Sequence, residues 1–209
     1  MMRVFVLLLA MLASATVAAE PIDCNAIENT TAPVELTYHD GKDSSAVIQV
    51  YRDKSANSVA WIKTLDGKLV TKVALVAGIL ATAETTSAFA GKFKSSKITY
   101  TVDGMPKLFD HRQDLKYTIA HSTIYADSST DLSSVTFDYK FRSAGKEPVG
   151  PCMLDVVHGE TDSVNEKTGK TSHSYSVYFP ALMAVMTGRT AEPVLDDIKT
   201  SFVPMTPIP

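Results

Sequence analysis

Two cysteines are the side chains whose chemistry is easiest to interpret in this sequence. Cys24 and Cys152 are the only cysteines among the 209 residues. Because the N-terminal segment predicts export from the cytoplasm, a disulfide is favoured, and closing so long a loop would stabilise the fold by roughly 5 kcal/mol. The alternative is a reactive thiol, but the chain has no C-x-x-C motif, and a thiolate outside the cytoplasm is open to oxidation. We predict a structural disulfide between Cys24 and Cys152.

Two short motifs of serine hydrolases occur in the chain, but their placement does not fit an active site. Ser143-Ala-Gly-Lys146 matches S-x-x-K, and Lys167-Thr168-Gly169 matches K-T-G. In the serine β-lactamases that use these motifs, an S-D-N element accompanies them. Here the two motifs lie in predicted loops, S-D-N is absent, and so are G-x-S-x-G and the glycine-rich phosphate loops. The motifs are interpreted as coincidences in turn-rich sequence.

Carboxylates offer the remaining route to catalysis. Paired acids for glycoside hydrolysis are brought together only in three dimensions, so sequence spacing does not reveal them. We predict a protein without catalytic activity, and keep a hydrolase with a dispersed carboxylate site as an alternative. The acids considered for that site are spread over predicted strands: Glu35, Asp155, Glu160 and Asp162.

The histidines do not form a metal-binding pattern. No pair has H-x-H or H-x-x-x-H spacing, so the sequence predicts neither a metal site nor a cofactor. His121 shares a predicted apolar strand face with Tyr117 and Ile119, where it is either a core residue or a pocket residue. His158 and His173 lie on the two arms of a predicted hairpin, and we treat them as possible cross-strand neighbours. The five histidines are His39, His111, His121, His158 and His173.

Aromatic residues are the candidates for ligand binding. Tyrosine combines an apolar ring with a polar tip, which suits a cavity for a partly polar ligand and equally suits an ordinary β core. The tyrosines fall on what is predicted to be one inner face, together with a tryptophan. The candidate ligand-binding residues are Trp61, Tyr117, His121, Tyr139 and Tyr175.

The first nineteen residues form a predicted secretory signal peptide. Arg3 precedes an apolar run, and Val17-Ala18-Ala19 precedes a cleavage point before Glu20. The apolar run is too short for a membrane span. The formal net charge is −3 and no basic run is present, which argues against nucleic acid as a partner. We predict a single domain over residues 20–209, ending in a proline-containing tail, that is periplasmic in a bacterium and otherwise secreted.

Residues 134–179 have the strand pattern from which the rest of the fold is inferred. Val135 to Phe141 alternate perfectly between apolar and polar, which indicates a strand with one buried side. A break is predicted at 143–151, followed by a hairpin that returns with Val177 and Phe179 facing inward. Loops are predicted at 128–134 and 145–151. Three Asp-Gly pairs predict hairpin turns, at Asp40-Gly41, Asp66-Gly67 and Asp103-Gly104.

Two segments have a helical pattern instead. Residues 78–90 are alanine-rich with apolar residues at loosely helical spacing, and Gly91 is a suitable stop. Val194, Leu195, Ile198 and Phe202 fit one helical face, with Pro193 in the first turn. The predicted fold is therefore mainly β: a large curved antiparallel sheet, either an incomplete barrel or a β-meander, with one or two packed helices.

This layout resembles that of exported half-barrel carriers, such as periplasmic lipoprotein carriers and related envelope proteins. The signal peptide, the hairpins at Asp66-Gly67 and Asp103-Gly104, and the return through residues 175–182 carry the resemblance. It includes no diagnostic motif and implies no catalytic residue. The leading hypothesis is binding, without catalysis, of a lipid-like or other amphipathic molecule, or of an envelope partner, on the concave face of the sheet. The alternative is a scaffold that docks a partner through the 152–179 hairpin.

Overall fold

The computed structural model describes residues 22–29, 32–40, 45–53, 58–65, 68–76, 80–81, 87–89, 92–100, 111–125 and 129–200. The predicted signal peptide, the tail after residue 200 and most of the Asp-Gly turn residues lie outside these ranges. No helix among the described residues has the length and apolar character needed to cross a membrane.

The described residues lie almost entirely in strands, with one short α-helix and one 3₁₀ turn among them. In chain order the elements are α1 (Cys24–Asn29), β1 (Val34–His39), β2 (Ser45–Asp53), β3 (Ser58–Leu65), β4 (Lys68–Val76), β5 (Leu80–Ala81), β6 (Ser87–Phe89), β7 (Lys92–Tyr100), β8 (Leu115–Tyr125), β9 (Thr130–Val149), β10 (Cys152–Asn165), β11 (Thr171–Phe179), the 3₁₀ turn Pro180–Leu182, β12 (Ala184–Gly188) and β13 (Val194–Thr200).

The described strands divide between two antiparallel sheets, and in neither sheet do the two described edge strands pair with each other. The six-stranded sheet has the order β13-β1-β2-β3-β4-β5, and the seven-stranded sheet has the order β12-β11-β10-β9-β8-β7-β6. Most neighbours are consecutive in the chain, as expected for a meander. Leu65 pairs with Lys68, so the hairpin predicted at Asp66-Gly67 is confirmed by the pairing of the strands on either side. The prediction of a mainly β, antiparallel fold is confirmed.

The predicted C-terminal helix is wrong: residues 194–200 form β13, at the edge of the six-stranded sheet beside β1. A β-bulge explains the misleading pattern. Leu195 pairs with Tyr38 and Ile198 pairs with Leu36, so one extra residue on β13 places Leu195 and Ile198 on the same face. That spacing of three imitates a helix. The extra residue, Asp196, uses its carboxylate to accept a hydrogen bond from Nδ1 of His39 (2.8 Å).

The helix predicted at 78–90 is also wrong wherever the structure describes it. Residues 80–81 form β5, which pairs with β4, and residues 87–89 form β6, which pairs with β7. This segment carries the chain from one sheet to the other. Strand pairing at both sheet ends supplies backbone hydrogen bonds that outweigh the helix propensity of a short alanine-rich run, because an isolated helix of that length is marginal.

Strand β9 is longer than predicted, and most residues of the two loops expected at its ends belong to it. Ser143 to Val149 are paired with β10 instead of forming a break, and the strand begins at Thr130. The chain reverses only at Gly150 and Pro151, between the paired Val149 and Cys152. Gly150 has a φ of +55°, a conformation that glycine adopts without steric cost. Polar composition predicted loops in both segments, but pairing with β10 makes 143–149 a strand and pairing with β8 does the same for 130–134.

Apolar residues from both sheets and both helical segments form one core. The Cys24–Cys152 disulfide is present, which confirms the prediction, and it joins α1 to the start of β10 across 128 residues of sequence. Val177 and Phe179 face this core as predicted. Its members include Ile27 of α1, Leu182 of the 3₁₀ turn, Val34, Leu36, Ile48, Val50 and Ile198 of the six-stranded sheet, and Val149, Leu154, Val156, Val177, Phe179 and Met186 of the seven-stranded sheet.

Candidate ligand-binding face

The seven-stranded sheet has a second face, opposite the shared core, and its residue types change across the strands. Directly paired residues of antiparallel strands point to the same side. Tyr139 pairs with Thr161, which pairs with Ser174, and these three residues therefore lie in one row away from the core. We call this side the aromatic–hydroxyl face: Tyr117, Phe137 and Tyr139 on β8 and β9, Thr161 and Ser163 on β10, Ser172, Ser174, Ser176 and Tyr178 on β11, and Thr187 on β12.

The aromatic half is formed by cross-strand ring packing. The rings of Tyr117 and Phe137, directly paired residues, stack with centroids 5.0 Å apart and an interplanar angle of 15°. The neighbouring Tyr139 ring covers Gly159, where an added Cβ would overlap the ring atoms. A strand glycine under an aromatic ring marks a place where a side chain would not fit. Tyr139 is therefore only 3% exposed although it lies outside the main core.

His111 closes one end of this cluster. Its ring stacks on Tyr178 with centroids 4.0 Å apart, and meets Tyr139 edge-on at 5.6 Å. The Tyr139 hydroxyl donates a hydrogen bond to the His111 carbonyl (2.7 Å). The backbone of His111 has a φ of +62°, and the residue is 3% exposed. The sequence contains no spacing signal for this position, because a bend just before β8, and not a strand, brings the ring to the sheet.

Burial keeps this aromatic half uncharged. Desolvation lowers the pKa of His111 to about 3 and raises the pKa of Tyr117 to about 12. Between those values His111 is a neutral imidazole and Tyr117 a neutral phenol. Any ligand in contact with these rings therefore meets apolar surfaces and neutral hydrogen-bonding groups.

The buried His111 predicts a loss of stability in acid. The unfolded protein protonates this ring below pH 6.5, whereas the folded protein keeps it neutral down to about pH 3. The unfolded state therefore binds the extra proton, and unfolding becomes easier as the pH falls through that interval, by up to about 1.4 kcal/mol per pH unit. His111→Asn, which tolerates the positive φ, should remove this part of the slope in urea titrations at pH 4 to 6. His173→Asn, at an exposed histidine, should retain it, and equal slopes in wild type and His111→Asn would contradict the assignment.

Hydroxyl groups fill the other half of the face. The Ser163 and Ser172 hydroxyls lie 2.7 Å apart across β10 and β11. Where the two halves meet there is a cleft of about 150 Å³. It is lined by the ring-bearing residues His111, Tyr117, Phe137 and Tyr139, by the hydroxyl-bearing residues Thr161, Ser174, Ser176 and Thr187, and by Val185.

The structure brings together only part of the predicted ligand-binding set. Tyr117 and Tyr139 line the cleft. Tyr175 pairs with Glu160 and lies on the opposite side of the sheet, so the prediction that it shares an inner face with Tyr139 is wrong. Arg142 is an extra residue on β9, and this bulge, together with the register of β10, decides which side of the sheet each of the two tyrosines occupies. Trp61 belongs to β3 in the other sheet, and His121 pairs with Ser133 in β8; their side chains lie outside the described parts of the molecule.

The histidines expected to be neighbours are also separated. His158 pairs with Val177, while His173 pairs with Asp162, to which its Nδ1 is hydrogen-bonded at 2.8 Å. His158 instead lies between Glu147 (Nε2 to Oε1, 2.9 Å) and Glu192 (Nδ1 to Oε1, 2.7 Å). The His158 ring therefore connects β9, β10 and the segment before β13.

The carboxylates considered for hydrolysis have separate partners. Glu35 accepts a hydrogen bond from Gln49 in the six-stranded sheet. In the other sheet Asp155 lies near Lys146, Glu160 near Arg142, and Asp162 bonds His173. Within the described residues no group of histidine, cysteine, aspartate and glutamate side chains could hold a metal ion.

No known protein family matches the sequence, and no curated protein is significantly similar to it. Among solved structures, the chain is similar to the hypothetical lipoprotein YmcC of Escherichia coli, with 11% sequence identity, a TM-score of 0.48, and coverage of 82% of this chain and 89% of that one. This likeness assigns neither a family nor a function to the chain. The resemblance to half-barrel carriers stays a prediction.

Proposed function

We propose that this is an exported protein that binds an amphipathic small molecule at the aromatic–hydroxyl face, without catalysing its conversion. The observation that carries the proposal is the cleft that the stacked rings of Tyr117 and Phe137 line together with Thr161 and Ser174. Binding sites of this type are concave, mostly apolar and supplied with a few convergent polar groups. The site differs from the predicted concave inner face, because the shared core occupies that side of the sheet.

Export is supported by the covalent chemistry of the chain. Disulfides persist in oxidising compartments and are rare in the cytosol. The Cys24–Cys152 bond therefore agrees with the predicted signal peptide at residues 1–19. In a bacterium, the proposed location is the periplasm.

The scaffold alternative receives less support from the hairpin tip. Its backbone is already bound within the chain, since Glu166 N–H donates to the carbonyl of Ser134 (2.8 Å). Lys167 also forms an ion pair with Asp131 of β9. A tip attached to its own sheet is a poor candidate for a free docking arm.

Native mass spectrometry of the mature protein, purified from a periplasmic extract, tests ligand binding. We expect a mass excess that is lost on denaturation, retained in Tyr175→Ala and lost or strongly reduced in Tyr117→Ala. The two variants remove the same side chain from opposite sides of one sheet, so Tyr175→Ala controls for loss of sheet packing. A native mass equal to that of the bare chain, or equal retention in both variants, would overturn the proposal.

A further inference from the structure

A second cavity lies next to the aromatic cleft on the same face. It has a volume of about 320 Å³ and is lined in part by Ser163, Asn165 and Ser172. Ser163 follows Thr161 of the cleft by two residues on β10, and Ser172 precedes Ser174 by two residues on β11. Residues two apart on a strand share a face and lie about 7 Å from each other. The cleft and the second cavity are therefore neighbours on one face along β10 and β11, and we call the two together the track.

The second cavity of the track carries two positively charged side chains. Lys170 and Arg189 line the second cavity, and no carboxylate of the described residues lines either cavity. Neither cation takes part in an ion pair between described residues. Asp40 accepts a hydrogen bond from the backbone N–H of Arg189 (3.0 Å), a contact that does not involve the guanidinium. This local excess of positive charge contrasts with the net charge of −3 for the whole chain.

The loop that presents Lys170 has an ordered structure. The Asn165 side-chain oxygen accepts hydrogen bonds from the backbone N–H groups of Lys167 (3.1 Å) and Thr168 (3.0 Å). The Gly169 N–H donates to the Asn165 carbonyl (2.8 Å), with Gly169 at a φ of +67°. Because the turn is fixed by its own hydrogen bonds, Lys170 begins from a defined backbone position at the edge of the track.

We propose that the track binds an acidic oligosaccharide, a proposal that rests on the ligand-binding function above and specifies its ligand. The apolar C–H faces of sugar rings match the Tyr117 and Phe137 rings, and sugar hydroxyls match the serine and threonine rows. Lys170 and Arg189 supply charge-assisted hydrogen bonds to a carboxylate or phosphate group on the glycan. The hydroxyl-bearing residues beside the rings, Thr161 and Ser174, favour a polyhydroxylated chain over an acyl chain, because an acyl chain offers them no hydrogen-bonding group.

The test uses the full mature protein on a glycan panel that contains uronate-bearing and phosphorylated oligosaccharides beside their neutral counterparts. We expect acidic glycans to bind more tightly than neutral ones, with affinity falling as NaCl is raised. By titration calorimetry on the strongest acidic glycan, Lys170→Gln/Arg189→Gln should weaken binding about tenfold or more. The matched control Lys116→Gln/Lys199→Gln, which removes two exposed cations elsewhere, should leave binding unchanged.

The outcomes separate this inference from the broader proposal. If Tyr117→Ala abolishes binding while Lys170→Gln/Arg189→Gln has no effect, the ligand site stands and the acidic-glycan inference fails. Equal affinity for neutral and acidic glycans, no binding to any glycan, or preferential binding to phosphatidylglycerol vesicles would each overturn the inference. Insensitivity of all binding to Tyr117→Ala would overturn the ligand site itself.

Discussion

Loss of the Cys24–Cys152 disulfide should lower the free energy of unfolding by up to about 5 kcal/mol and the melting temperature by about 10–20 °C. The expected effect is large because the bond closes a loop with a sequence separation of 128 residues, and loop closure constrains the unfolded chain most when the loop is long. In the folded protein the bond also holds α1 against the core, where Ile27 is fully buried. Calorimetry or urea unfolding of Cys24→Ala/Cys152→Ala measures the loss.

Alkylation supplies the control for this prediction. Both cysteines should resist alkylation in the native oxidised protein and react after denaturation with reductant, since Cys152 is 1% exposed. Reduction of wild type should reproduce the stability of the double alanine variant. A melting temperature that stays constant on reduction, or free thiols in freshly prepared protein, would contradict the structural role of the bond.

Replacement of Arg52 should produce the second largest loss, about 3 kcal/mol or more, because it breaks a buried charged hydrogen-bond network. Arg52 is 5% exposed and lies at the end of the buried face of β2. Its guanidinium donates to three backbone carbonyls, two from the N-terminal segment, Ile27 (2.7 Å) and Ala32 (3.1 Å), and one from the distant 3₁₀ turn, Ala181 (3.0 Å). Burial lowers the pKa of this group, but a guanidinium remains charged in any folded protein. Arg52→Met would fill the space but leave these carbonyls without their donor. A buried acceptor without a hydrogen bond destabilises the folded state, because it has lost its contact with water and gained no partner.

Urea unfolding of Arg52→Met should show the loss, and Arg52→Lys should recover only part of it, because an ammonium lacks the planar fork that reaches three acceptors. Arg142→Met is the matched control, since Arg142 is an exposed arginine with a single ion-pair contact to Glu160 at 3.9 Å. An exposed pair of this kind contributes about 1 kcal/mol or less. Equal losses in the two methionine variants would show that burial of Arg52 has no special role.

Strand periodicity was predictable where one side of a strand faces the core without interruption. Val177 and Phe179 alternate with polar residues and are buried as expected. Alternation did not predict the strand where a bulge interrupts the regular exchange of inward and outward side chains. On β13 a bulge gives Leu195 and Ile198 a helical spacing, although both residues belong to a strand. A bulge adds one residue to one strand only, and no residue type in this segment identifies it.

The candidate site was predictable only in part for a related reason. Tyr117 and Tyr139 were identified because tyrosine on an alternating strand suits a half-buried surface. Tyr175 was assigned to their side, but its pairing with Glu160 places it on the other. Which faces of two strands coincide depends on register, and a shift of one residue exchanges the two faces. His111 was missed because a positive-φ turn, and not a strand, brings its ring to Tyr178.

The sequence by itself determined the features that depend on local residue type. Alternating side chains and Asp-Gly turns determined the mainly β, antiparallel fold class. The presence of two cysteines in the whole sequence determined the disulfide. The tertiary structure alone decided the division into two sheets, the conversion of two helix-like segments into strands, and the assembly of rings, hydroxyls and cations along one track. These features depend on register and on hydrogen bonding between segments distant in the chain, which become defined only when the strands pair.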